Sequence, residues 1–146
     1  MTEDAHRPGR VESLFGPGPA GGCGARGERA AADFLRAWRG FRLVARNWRN
    51  PRDRREELDL VAADGETLVF VEVKTRAPGA LVPGFYAVDA RKRQVLRRAV
   101  RSYLRLLRIK PRTFRFDVVE VECGEAGPPV VRHFANVPLF SKYFRP

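Results

Sequence analysis

From residue 27 onward the apolar residues recur in two ways. Two segments repeat them every third or fourth position, and five shorter ones alternate them. "GERAAADFLRAWRG" carries Ala31, Phe34, Leu35 and Trp38 at i, i+3, i+4 and i+7, an amphipathic helix that Gly40 is placed to stop. "FRLVARNW" reads as a strand with Phe41, Leu43 and Ala45 on one face, followed by the charged loop "RNPRDRRE". "DARKRQVLRRAVRSYLRLLRIKP" is the second helix. Asp89 can cap it, Leu96, Ala99, Val100, Tyr103 and Leu107 form its stripe, and Pro111 closes it. "FRFDVVEVE" and "VVRHFANV" are strands about the turn "CGEAGPP". The order α-β-β-β-α-β-β predicts a mixed α/β layer rather than a bundle or a sandwich. Residues 1–25 are rich in Gly and Pro without a sustained period. They are expected to form a disordered extension, leaving 26–146 as one α/β domain.

The stretch "ELDLVAADGETLVFVEVK", Glu57 to Lys74, reads as a hairpin closed at Asp64-Gly65, yet it places charges among Leu, Val and Phe. With a two-residue turn Ala63 faces Glu66, and Asp59 faces Phe70. One face then carries Glu57, Asp59, Val61, Leu68, Phe70, Glu72 and Lys74. The other carries only Leu58, Leu60, Ala62, Val69, Val71 and Val73. Asp59 and Glu72 become diagonal neighbours, with Cα atoms roughly 7–8 Å apart. Two carboxylates this close repel, and in a partly apolar setting one tends to stay protonated. A divalent cation such as Mg²⁺ removes that penalty, and Lys74 supplies a positive charge on the same face. The plainer alternative, an exposed Glu72–Lys74 ion pair, leaves Asp59 unexplained. Glu28 falls on the apolar stripe of the first helix. It suits either the helix dipole or a site facing inward, and the residues alone leave both open.

Charge sharpens the picture. The chain has a formal net charge of +11, all of it outside the first 25 residues. A body that basic attracts polyanions, nucleic acid first, although Arg-rich coding from a GC-rich genome produces the same composition. Cys23, Cys123, His6 and His133 have neither a disulfide framework nor metal-ligand spacing. No apolar run is long enough to span a bilayer, and the N-terminus lacks a signal-peptide core, so a cytoplasmic protein with no membrane partner is expected.

Asp59, twelve intervening residues and then Glu72-Val73-Lys74 resemble the PD-(D/E)XK nuclease motif. "GERAAADFL", "ARNWR", "ELDLVA", "VFVEVKTR", "ARKRQVLRRAVRSYL" and "RFDVV", in that order, resemble the YraN family of uncharacterised bacterial proteins over residues 27 to 137 or so. The resemblance implies a restriction-endonuclease-like fold related to archaeal Holliday junction resolvases. It implies Glu28, Asp59, Glu72 and Lys74 as the catalytic set, the three acids as ligands of Mg²⁺ or Mn²⁺, and Glu57 as a supporting residue. The activity it suggests is endonucleolytic hydrolysis of DNA, with branched or damaged DNA as one substrate class. Arg76, Lys92, Arg93, Arg97, Arg98, Arg101 and Arg105 would grip phosphates without reading bases. Junction-cutting relatives work as dimers, so a homodimer is one expected arrangement. The rival expectation is a non-catalytic nucleic-acid-binding protein on the same scaffold. The chain departs from the family pattern at Glu56, where Gly is usual, and in the loop "APGALVPGFYAVDARK".

Overall fold

A computed structural model describes residues 9–10, 22–79 and 88–146. Most of the tail and part of the loop after the Glu-Val-Lys motif lie outside the described residues. The elements are β1 (Gly9–Arg10), α1 (Cys23–Arg39), β2 (Arg42–Arg49), β3 (Glu57–Asp64), β4 (Thr67–Arg76), α2 (Ala90–Leu106), β5 (Thr113–Glu122) and β6 (Val130–Phe134). After the two-residue β1, which pairs with β6, the order is the expected α-β-β-β-α-β-β. Helix α1 begins at Cys23, four residues ahead of Gly27, where the segment carrying its apolar stripe starts.

The sheet order is β1-β6-β5-β4-β3-β2, antiparallel except for the central β4–β5 pair. That parallel pair needs a crossover, and α2 supplies it. Val69, Val71, Val119 and Val121 pack with Ala31, Phe34 and Leu35 of α1 on one face. On the other, Phe70, Phe116 and Val118 pack with Leu96, Ala99, Val100, Tyr103 and Leu104 of α2. The result is a helix–sheet–helix sandwich with a core on each face, the restriction-endonuclease-like α/β architecture.

Four local expectations change. The hairpin turn is Gly65-Glu66, with Asp64 opposite Thr67. Gly65 takes φ +58 while Glu66 keeps a negative φ, so glycine occupies the first central position that demands it. The register therefore shifts by two, which preserves the two faces and brings Asp59 level with Glu72 instead of diagonal to it. A bulge between Leu43 and Ala45 moves Ala45 off the Leu43 face and onto the α2 core, beside Trp48. Leu58 also packs into the α2 core, because alternation along β3 breaks at Asp59. Trp38 is 62% exposed: it lies beyond the last packed turn of α1, just before the left-handed Gly40 cap.

Gly27 brings α1 down onto the end of β4. A Cβ there would lie 3.2 Å from Thr75 Cβ and would collide with its Oγ1. Gly27→Ala should lower the unfolding free energy by about 1–2 kcal/mol, after allowing for alanine's better helix propensity, as measured by urea denaturation. Stability equal to wild type would show that α1 does not sit this close to β4.

Candidate active site

The β3–β4 ladder runs from Asp64↔Thr67 to Leu60↔Val71 and stops there. Beyond it, the Asp59 carboxylate accepts the Val73 N–H at 2.8 Å, substituting a side-chain bond for the next ladder bond. On β2 the residue level with Asp59 in the register is Asn47, which has φ +49, so both neighbouring strands are irregular at this point. The aspartate is thus locked against β4, next to Glu72.

Glu72 is 3% exposed. Its Oε1 meets Lys74 Nζ at 3.0 Å and Lys92 Nζ at 3.3 Å. Its Oε2 is buried and, among the described residues, has no hydrogen-bond partner. Buried carboxylate oxygens are rarely left so, and one here points to an absent partner. Burial, then the neighbouring Glu72 charge, push the Asp59 carboxyl up to about 7; the Val73 N–H and Lys92 oppose this, and Glu28 adds a smaller push upward.

The predicted residues divide into those brought together and those employed elsewhere. Asp59, Glu72 and Lys74 form one cluster. Glu28, half-buried in α1 beside the Gly27 contact, is near enough for its charge to act on Asp59. Among the described residues, however, no three His, Cys, Asp or Glu side chains are grouped closely enough to hold a metal ion. Glu57 pairs with Arg49 at 3.1 Å. Glu56 neither crowds the site nor points to solvent: it is buried and accepts from Asn50 Nδ2 and Ser102 Oγ, each at 2.7 Å, tying the β2–β3 loop to α2.

The proposed phosphate-gripping residues are also partly engaged. Arg76 lies 3.9 Å from Glu120, and Arg93 donates to the Val88 carbonyl. Arg97 donates to the Leu139 carbonyl, while Arg101 donates to the Arg145 carbonyl and sits 5.0 Å from the centre of the Phe144 ring. These two hold the C-terminal segment against α2. Arg98, 3.9 Å from Glu56, and Arg105 keep exposed heads.

Two features escaped the sequence reading. Lys92 was grouped with the phosphate contacts, yet it reaches Glu72. A signal for this was available: a crossover returns the start of α2 to the carboxyl end of β4, where the Glu-Val-Lys motif lies. Asp89 fixes that start by accepting the Lys92 N–H at 2.8 Å. The second feature is a buried network around Asp117. It accepts from Arg115 Nε at 3.0 Å, His133 Nε2 at 2.8 Å and the Asn136 N–H at 2.9 Å. Arg39 donates to His133 Nδ1, which places the imidazole proton on Nε2. Every partner in this network comes from within the chain, which gives it a structural role.

The donor set at Asp59 and Glu72 fits a hard divalent cation. It offers oxygen only, includes a buried oxygen with no hydrogen-bond partner among the described residues, and joins two carboxylates that repel each other. An open mixed sheet between helices, with this acidic pair and Glu-Val-Lys where two of its central strands part, defines a restriction-endonuclease-like α/β protein. The chain belongs to the uncharacterised protein family UPF0102, the YraN family, whose model matches residues 27–121. It is 49% identical to the UPF0102 protein of Symbiobacterium thermophilum over 104 residues, 71% of this chain and 85% of that protein. It is 46% identical over 114 residues to the UPF0102 protein of Beutenbergia cavernae, covering 78% and 93% of the two chains. For the UPF0102 protein of Chlorobium limicola the identity is 42% over 113 residues, 76% and 83% of the chains. No helix among the described residues is long and apolar enough to cross a membrane.

Because the folded state raises the Asp59 pKa from 3.8 to about 7, it binds more protons than the unfolded state between those values. The associated stability is fully present below about pH 4 and is lost as pH rises through 7. In urea denaturation without divalent cations, Asp59→Asn should exceed wild type by about 1–3 kcal/mol at pH 8, a range discounted for partial solvent screening. The gap should close by about pH 4. Parallel curves across this range would contradict the crowded-carboxylate geometry.

Proposed function

We propose that this protein is a metal-dependent endonuclease that hydrolyses phosphodiester bonds in DNA, with branched or damaged DNA as the substrate class. The observation that carries this reading is the pairing of Asp59 with Glu72, whose Oε2 is buried without a hydrogen-bond partner among the described residues. Asp59 and Glu72 would hold Mg²⁺ or Mn²⁺, and Glu28 would be the third carboxylate. A divalent cation there supplies Lewis-acid polarisation of the phosphate and a more acidic bound water. Lys74, 3.0 Å from Glu72, would orient the attacking water or offset the charge that develops on the phosphate. The exposed heads of Arg98 and Arg105 would grip the backbone at a distance from the reacting bond. If the protein pairs with itself, as junction-cutting nucleases do, the dimer would present two such sites.

A second reading is a nucleic-acid-binding protein that keeps the scaffold without the chemistry. One observation favours it: Glu72 Oε1 already carries two ammonium partners, and no third carboxylate among the described residues joins the pair closely.

Incubation of labelled duplex, single-stranded and four-way DNA with Mg²⁺ or Mn²⁺ separates the two. The nuclease reading expects cleavage by wild type and at least about a hundredfold loss in Asp59→Ala and Glu72→Ala, since these variants remove metal ligands rather than supporting groups. Cleavage that persists in Asp59→Ala would overturn it. Binding without cleavage in either metal would favour the second reading.

A further inference from the structure

The unusual feature of the site is the number of cations on one oxygen. Lys74 and Lys92 both lie against Glu72 Oε1, while Oε2 of the same carboxylate has no hydrogen-bond partner among the described residues. The two lysines differ in origin. Lys74 is two residues from Glu72 on the same strand, so its ammonium cannot go far. Lys92 arrives from the first turn of α2 on a four-carbon stem, and its side chain is the more exposed, 37% against 27%. Its ammonium lies 3.3 Å from the Glu72 oxygen and its charge opposes the rise of the Asp59 carboxyl, so it supplies positive charge to the same pair of acids that a divalent cation would neutralise.

We propose that Lys92 is an exchangeable counter-ion: it neutralises Glu72 in the metal-free protein and swings to a substrate phosphate when a divalent cation takes the carboxylates. This rests on the metal-binding reading above and adds to it a residue that couples metal occupancy to the grip on nucleic acid. The physical basis is charge balance. A dication beside Asp59 and Glu72 repels an ammonium held by the same oxygens, and the ammonium on the more exposed side chain, anchored on a separate element from Glu72, is the one that leaves. A lysine head acts as a point charge and needs no fixed geometry to bind phosphate oxygen, so it can change partners without rearranging α2. The Asp89 cap, which binds the Lys92 backbone rather than its side chain, leaves the stem free to turn.

The test uses the full chain, with Lys92→Met and Lys92→Gln, each checked for wild-type folding by thermal denaturation. Ca²⁺ serves as the probe, because it binds carboxylates and is expected not to support cleavage. In EDTA, where Lys92 is held by Glu72, duplex affinity of the variants should stay within about twofold of wild type. In Ca²⁺ they should bind about five- to tenfold more weakly, and the slope of log affinity against log salt should fall by about one phosphate contact. An equal loss in both conditions would make Lys92 a permanent phosphate contact, and no loss in either would remove it from the phosphate; each result overturns the exchange. A calorimetric Ca²⁺ titration without DNA gives an independent reading. Removal of the competing ammonium should tighten Ca²⁺ several-fold, and unchanged or weaker binding in the variants overturns the proposal. If wild type and variants alike bind no Ca²⁺, the metal reading falls with it. If all bind Ca²⁺ equally, the metal reading stands and only the role of Lys92 falls.

Discussion

The structure turns on one substitution of partners. Where β3 and β4 would continue their ladder past Leu60↔Val71, the Asp59 side chain takes the Val73 N–H instead. That bond holds a carboxylate against the backbone between Glu72 and Lys74. It also breaks the alternation of β3, so Leu58 packs towards α2 while Leu60 packs towards α1. Two acids then share a partly apolar setting, with the consequence that Asp59 resists ionisation. A fold kept for stability alone has no use for such a place. A pair of well-packed apolar residues there would cost less.

The surroundings keep this place open and fixed at once. Gly27 lets α1 approach Thr75, which brings Glu28 towards the acids. Asp89 caps α2 so that Lys92 projects at Glu72. Glu56, through Asn50 and Ser102, ties the loop between β2 and β3 to α2. In the Asp117 network burial pushes the fully buried carboxyl up, but the hydrogen bonds from His133, Arg115 and the Asn136 N–H, with the Arg115 charge, outweigh it and hold the carboxyl below its ordinary value. Asp117 and Asp59 thus show two fates of a buried acid. One is satisfied by donors and stays ionised; the other faces a second carboxylate and does not readily ionise.

Much of this was legible in the sequence, because the two helical stripes and the alternating runs are dictated by burial on either face of the sheet. The face assignment within the hairpin survived a register error of two, since side-chain direction repeats every second residue. What failed has local causes. The choice of Gly65 over Asp64 as the first turn residue, the bulge after Leu43 and the exposure of Trp38 depend on backbone geometry that hydrophobic pattern does not encode. The acidic pair was visible from spacing, whereas Lys92 was not. Its partner lies across a crossover, so only the β4–α2–β5 topology, and not the pattern along either element, brings it to Glu72. Arg97 and Arg101 were read as free phosphate contacts because the C-terminal segment that takes their donors has no periodicity of its own.

The most direct measurement is a Mn²⁺-soaked crystal with an anomalous difference map recorded at the manganese edge. A peak within coordination distance of Asp59 and Glu72 Oε2, with Glu28 drawn towards it, is the expected result. Manganese peaks at other surface carboxylates, with Glu72 still held only by its two lysines, would contradict the view that this pair of acids exists to hold a cation.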